Sequence, residues 1–276
     1  MDAKNTGIRH SSEVSVGRKH LLVWDIMTNG TAAKVFIAAP FGNWIKPKNA
    51  ISVTGTFTLH PQGNRLWSVV KSLRYDFRRQ GWTNRLQLPN PGVVCGLERT
   101  LRNEVLSIAE VQRGDFKELV QIIPVDQSIE LNLSCPNLGK SLPWDSAEVF
   151  IKYKGTNWER EWCIAKVGPL TTPEQLEFLI DELGFTQLHF SNTLPWKGAG
   201  GLSGVTLRPY TLELIKLVRE NWGDAVTIIA GGGIKNWQDI YRYLSKGADH
   251  VSLGTVCFNP FALRKILKKG KENDEN

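Results

Sequence analysis

The residues best equipped for chemistry lie in one hexapeptide, Asn132-Leu133-Ser134-Cys135-Pro136-Asn137, which follows the strand-like run Ile129-Glu130-Leu131. Pro136 cannot donate to a sheet ladder, so the strand stops there, and the Cys135 thiol stands between two carboxamides at its carboxyl end. Barrel and open α/β enzymes keep their chemistry at that end. A carboxamide is uncharged and offers both a donor and an acceptor, which suits a flat substrate with amide edges better than a metal or a bare phosphate. A buried cysteine in a strand-to-loop turn is the alternative for this hexapeptide taken alone.

Other polar groups end other apolar runs. Lys166 interrupts Cys163-Ile164-Ala165 just before Val167, a costly position unless a ligand or an acidic partner matches its charge. Asn192-Thr193 closes Leu188-His189-Phe190-Ser191, either as a ligand-binding pair or as a capped turn. Asn84 stands in the polar stretch from Thr83 to Asn90, where asparagine is commonplace. Three glycine groups come later: the loop Gly200-Gly201-Leu202-Ser203-Gly204, Gly231-Gly232-Gly233, and Gly254-Thr255. Each alone is turn chemistry. Together, beside the last two strands, they predict a cradle of backbone N–H groups for a phosphate.

The elements that must position these groups alternate. Strands are predicted at Glu104–Ala109, Ile129–Leu133, Trp162–Val167, Gln187–Phe190, Val226–Ala230 and His250–Leu253. Helices are predicted at Asp115–Ile123, Trp144–Tyr153, Pro173–Leu183 with Thr172 as N-cap, within Leu207–Trp222, and at Trp237–Leu244 and Phe261–Leu267. Such alternation means parallel strands joined by crossover helices. Adding Lys34–Ala39 and Ile51–Gly55 brings the strands to eight and predicts an α/β fold, a single (β/α)8 TIM barrel. The Ala39–Ile51 link is barely long enough for a crossover helix, so the first unit is expected to be trimmed. Leu21–Met27 and Lys34–Ala39 around Thr28-Asn29-Gly30 read as a small N-terminal β-hairpin, and the section holding Asn84, Pro89, Pro91 and Gly92 as a loop insertion. The expected division is a mobile arm over 1–20, the barrel over 21–270 and a polar tail over 271–276.

Composition narrows the class. The 276 residues are 41% apolar and 22% charged, as in a soluble globular protein with a sizeable core. No apolar run reaches membrane-spanning length, and the N-terminus lacks a signal peptide's apolar segment. Four cysteines without paired spacing argue against a disulfide framework or a metal site, so a reducing, cytoplasmic setting is expected. The net charge of +7 gathers partly in the tails, at Arg9, Arg18, Lys19, Lys265, Lys268, Lys269 and Lys271. That is a solvated charge distribution, and the scattered tryptophans show no basic-aromatic pattern for nucleic acid.

In this order the motifs resemble the dihydroorotate dehydrogenase family, FMN-containing β/α barrels of pyrimidine biosynthesis, over roughly residues 35 to 260. The resemblance implies FMN as cofactor, with dihydroorotate and orotate as substrate and product. Cys135 would be the base at C5 as hydride passes from C6 to the flavin, and Asn84, Asn132, Asn137, Asn192 and Thr193 would hold the substrate. Ala39, Thr56, Lys166, Gly201, Gly204, Gly232, Gly233, Gly254 and Thr255 would hold FMN. A cysteine base resembles the soluble class, which implies a homodimer and a separate electron-acceptor partner rather than a membrane. The chain departs from the family at three places: Pro40 and Gln87 stand where glycine is usual, and the family's second lysine is missing, with Lys46 and Lys48 the nearest substitutes. Those departures leave open a related oxidoreductase acting on another dihydropyrimidine or an enoate-like substrate, or a non-catalytic flavin- or phosphate-binding barrel.

Overall fold

The computed structural model describes residues 33–63, 72–84, 88–133, 144–152, 160–190, 192–196 and 200–271. Eight parallel strands close a barrel: β1 (Val35–Ile37), β2 (Ile51–Phe57), β5 (Val105–Ile108), β6 (Ile129–Asn132), β7 (Cys163–Val167), β8 (Gln187–Phe190), β11 (Thr227–Gly231) and β12 (His250–Leu253). Closure is made by β1 pairing with both β2 and β12. Both faces of these strands are covered, which is why they read as near-continuous apolar runs.

Alternation along each strand divides the core in two. Residues facing outward join one large cluster with the surrounding helices, including Leu106, Ile129, Leu131, Ala165, Leu188 and Ile228. Residues facing inward begin with an apolar layer of Phe36, Val53, Val105, Trp162, Ile164 and Ile229. Two residues further along the same strands the inward positions are polar: Ser107, Lys166 and, in register with Lys166, Asn132 and His189. The switch from oil to hydrogen-bonding groups partway up the barrel is what builds the site.

The helices are α1 (Val93–Arg99), α2 (Asp115–Ile122), α3 (Val149–Lys152), α4 (Pro173–Glu177), α5 (Arg208–Trp222), α6 (Trp237–Leu244) and α7 (Pro260–Lys271). Thr172 caps α4 in a reciprocal box with Gln175, as its spacing predicts. The helix expected through Leu183 changes at Phe178 to a π-helical turn over Phe178–Glu182. The segment expected to be helical from Trp144 opens as a 3-10 turn, Trp144–Glu148, before α3. Between β1 and β2 the only described helical element is a 3-10 turn, Phe41–Asn43, the trimmed first unit expected from its length.

Two expectations need correction. The stretch assigned to loop around Asn84 contains β3 (Arg74–Asp76), β4 (Gly81–Asn84) and α1. Gly200–Gly204, read as a phosphate loop, is the strand β10, and with β9 (Leu194–Trp196) it completes an antiparallel sheet in the order β3-β4-β10-β9. Glycine allows close approach in this sheet: a Cβ on Gly81 would meet Ser203 O at 2.0 Å, and one on Gly201 would meet Thr193 Oγ1 at 2.3 Å. For the expected hairpin, Lys34–Ala39 supplies β1, whose neighbours are parallel barrel strands, and Leu21–Met27 lies outside the described residues, as do the 1–20 arm and most of the tail.

Candidate active site

A cavity of about 310 Å³ opens at the carboxyl ends of the barrel strands, a size suited to a small-molecule ligand. Its wall includes Asn84, Asn132, Asn192 and Thr193 together with Ala39, Thr56, Lys166, Gly204, Gly232, Gly233, Gly254 and Thr255. Twelve positions singled out in the sequence thus converge on one space. Gly201 does not line it, being held within β10 opposite Asn84. Cys135 and Asn137 lie outside the described residues, as does Gln87.

The floor is a connected polar network. Glu130, fully buried on β6, takes the Lys166 ammonium at 3.3 Å and the Ser107 hydroxyl at 2.9 Å on Oε1, and His189 Nδ1 at 2.6 Å on Oε2. Burial would raise the Glu130 pKa, but the Lys166 ammonium, His189 and the Ser107 hydroxyl outweigh it and hold the carboxyl down to about 2. The acidic partner that Lys166 demanded is therefore two residues before Asn132, on the same strand face. Ser107 in turn meets Thr56 Oγ1 at 3.0 Å, Asn132 Nδ2 donates to Thr56 Oγ1 at 3.0 Å, and Asn192 Nδ2 donates to Asn132 Oδ1 at 2.7 Å. Both carboxamides are oriented before any ligand arrives.

The glycine run after β11 is held from outside by its carbonyls. Thr211 Oγ1 donates to Gly231 O at 3.0 Å, Tyr243 Oη to Gly232 O at 2.6 Å, and Arg208 to Gly233 O at 3.0 and 2.6 Å. In a trans peptide the next residue's N–H points opposite the carbonyl, so pulling these oxygens outward turns the following N–H groups toward the cavity. Burial pushes the Tyr243 hydroxyl up to about 12, which keeps it a donor at neutral pH. Arg208 is fixed by Asp239 at 2.6 Å. Beside this cradle the Ser252 hydroxyl lines the cavity, buried and without a hydrogen-bond partner among the described residues.

The opposite character prevails at the lip. Phe41, Trp44, Leu73, Trp82, Leu88 and Phe258 line it, and Trp82 and Phe258 stack at 4.5 Å. The loop carrying Leu88 and Pro89 is clamped by Asn90, whose Oδ1 accepts from Thr58 N and Gly92 N while its Nδ2 donates to Leu88 O. Lys46 does not replace the missing lysine: it is bound to Glu104 Oε2 at 2.7 Å and to Arg99 O at 3.1 Å, and neither it nor Lys48 lines the cavity.

Glu130, Ser107, His189, Ser252, Arg208 and Tyr243 were not singled out in the sequence. For Glu130 a positional signal existed, since period two back from Asn132 puts it on the same strand face; Ser107 and His189 are placed only by the register of neighbouring strands. Arg208 and Tyr243 act through contacts between distant helices and left no local trace.

A family model described as dihydroorotate dehydrogenase matches residues 182–272. The chain is 30% identical over 217 residues to the catalytic subunit of dihydroorotate dehydrogenase B (NAD(+)) of Staphylococcus carnosus, covering 68% of this chain and 70% of that protein. The corresponding subunit of Thermotoga maritima is 28% identical over 260 residues, covering 83% and 92%. Among solved structures, DHODH of Eimeria tenella in complex with ferulenol shares the fold with a TM-score of 0.69 at 20% identity, over 92% of this chain and 84% of that one.

Proposed function

The chain belongs to the dihydroorotate dehydrogenase family, and we propose that it oxidises dihydroorotate to orotate in pyrimidine biosynthesis with FMN as its cofactor. The family is flavin-dependent, and the observation that carries the reading is the convergence of Asn84, Asn132, Asn192 and Thr193 with Lys166 on one cavity that also holds the glycine cradle. The residues fit FMN. Ser252 offers a buried hydroxyl without a described partner, and a Cβ on Gly254 would meet nothing within 4 Å, so the wall there is open to a ligand. Backbone N–H groups at Gly232, Gly233, Gly254 and Thr255 would hold the phosphate, with Gly204 close by, while Ala39, Thr56 and Lys166 would face the ring.

FMN in this cavity supplies the acceptor for a hydride from C6 of the substrate. The chain's own residues do the rest. Asn132 and Asn192, locked to each other and to Thr56, would present amide donors and acceptors to the pyrimidine edge, joined by Asn84 and Thr193. Cys135, with Asn137 beside it, would take the proton from C5, the role implied by its family loop. The apolar lip would exclude water from that exchange. Homodimerisation and a separate electron-accepting partner in the cytoplasm complete the proposal. The relatives' designation as catalytic subunits supports such a partner.

The test is the visible spectrum of the purified protein, before and after dihydroorotate is added without oxygen. A flavin band that bleaches is expected. A band that persists with dihydroorotate but bleaches with another dihydropyrimidine or an enoate would shift the substrate. Failure to hold FMN at all would overturn the reading.

A further inference from the structure

Lys166 is the only lysine or arginine among the described residues that line the cavity, and its ammonium is engaged by Glu130. The pair Glu130–Lys166 sums to zero charge, so among the described residues the floor holds no fixed net positive charge to answer an anion. Among the described residues, His189 is the other group on this wall able to acquire charge. Its side chain is 2% exposed, and its Nδ1 lies 2.6 Å from Glu130 Oε2. An ionised carboxylate only accepts, so the hydrogen sits on Nδ1 and Nε2 is left as the basic nitrogen.

Among the described residues, the charged groups acting on His189 are Glu130 from β6 and Lys166 from β7. The neighbour in register on β11 is Ile229, and β5 and β2 contribute the uncharged Ser107 and Thr56 to the network. Burial and the Lys166 ammonium lower the His189 pKa while Glu130 opposes them, so the ring is neutral at rest. An added negative charge in the cavity reverses that balance.

We propose that His189 is the proton acceptor that balances charge when the flavin is reduced, taking one proton from solvent onto Nε2. This rests on the reading of the protein as a flavoenzyme. Hydride transfer brings two electrons and one proton onto the flavin, whose ring then carries one negative charge. The second proton resides on His189 as imidazolium, still hydrogen-bonded to Glu130, and the cluster of Glu130, Lys166 and His189 moves from zero to one positive charge. The reaction at the flavin thus takes up two protons rather than one.

The experiment is the midpoint potential of the FMN-loaded protein against pH, for the wild type and for His189→Asn, whose carboxamide keeps a donor near the Nδ1 position. One proton per two electrons makes the equilibrium tenfold per pH unit, about 30 mV, and two protons make it about 60 mV. Across about pH 6.5 to 7.5 the wild type is expected near the steeper value and His189→Asn near the shallower. The reduced flavin's absorbance should stay constant over that range in the wild type, since the second proton is not on the flavin. A wild-type slope of about 30 mV overturns the inference without any variant, as does a reduced-flavin spectrum that titrates in step with the slope. Equal slopes in the two proteins also overturn it. A protein that binds no FMN defeats the flavoenzyme reading itself, a different failure from a flavoprotein with an unchanged slope.

Discussion

Glu130 carries more of this site than any residue that touches the cavity. Its two oxygens serve a lysine, a histidine and a serine, all buried. Glu130→Ala would leave the Lys166 charge uncompensated in the interior, and a loss of about 3–5 kcal/mol in urea-unfolding stability is expected. Asn132→Ala removes one link between Thr56 and Asn192 as well as a proposed substrate contact. The rate at which dihydroorotate bleaches the flavin should fall about 10- to 100-fold, corresponding to about 1–3 kcal/mol for an unsatisfied polar partner, with FMN content preserved. The sequence made Asn132 conspicuous because it ends a strand before a proline. It left Glu130 unremarked, because a carboxylate in an apolar strand becomes meaningful only when the neighbouring strand is known to carry Lys166 at the matching height.

At the scale of elements, the alternating strands and helices were legible because each is a short apolar run with its own turn chemistry. The side sheet was not. β4 and β10 are separated by more than a hundred residues, and β10 is glycine-rich, so local pattern favoured a loop; the pairing depends on the absence of side chains at Gly81 and Gly204. Gly81→Ala should therefore weaken this sheet, with faster amide exchange in β3, β4, β9 and β10 than in the barrel strands, since the clash is with backbone at 2.0 Å. The cradle after β11 is likewise a joint product of α5 and α6. Arg208→Ala removes two hydrogen bonds to Gly233 O without deleting any residue that lines the cavity. FMN affinity should fall about tenfold, the scale of one charge-assisted hydrogen bond, as read by fluorescence titration.

For the molecule as a whole, the buried ionisable groups set how stability follows pH. His189 and His250 both have pKa values lowered from 6.5, first by burial. As pH falls below 6.5 the unfolded chain takes up protons that the folded protein resists, so stability declines through that window. Glu130 acts lower down: its stabilisation is complete above 4.5 and is lost as pH falls toward about 2. His250→Asn should make the decline below 6.5 shallower by up to about 1.4 kcal/mol per pH unit, measured by urea unfolding at successive pH values. His250 belongs to the apolar end of the barrel, packed against Phe36 and Trp162, so this change leaves the cavity intact.

Barrel closure also imposes a timetable. Lys34 N donates to His250 Nδ1 across 216 residues, and β1 pairs with β12. Ribosomes deliver that much chain in on the order of 10–40 s, during which β1 has no partner on one edge. Ala39 and Thr255 line the same cavity from opposite ends of the sequence, so the cavity wall cannot be assembled until β12 has emerged. Cofactor loading is thus a late event in the life of the nascent chain, and a chain stalled before His250 should emerge colourless whatever the supply of flavin.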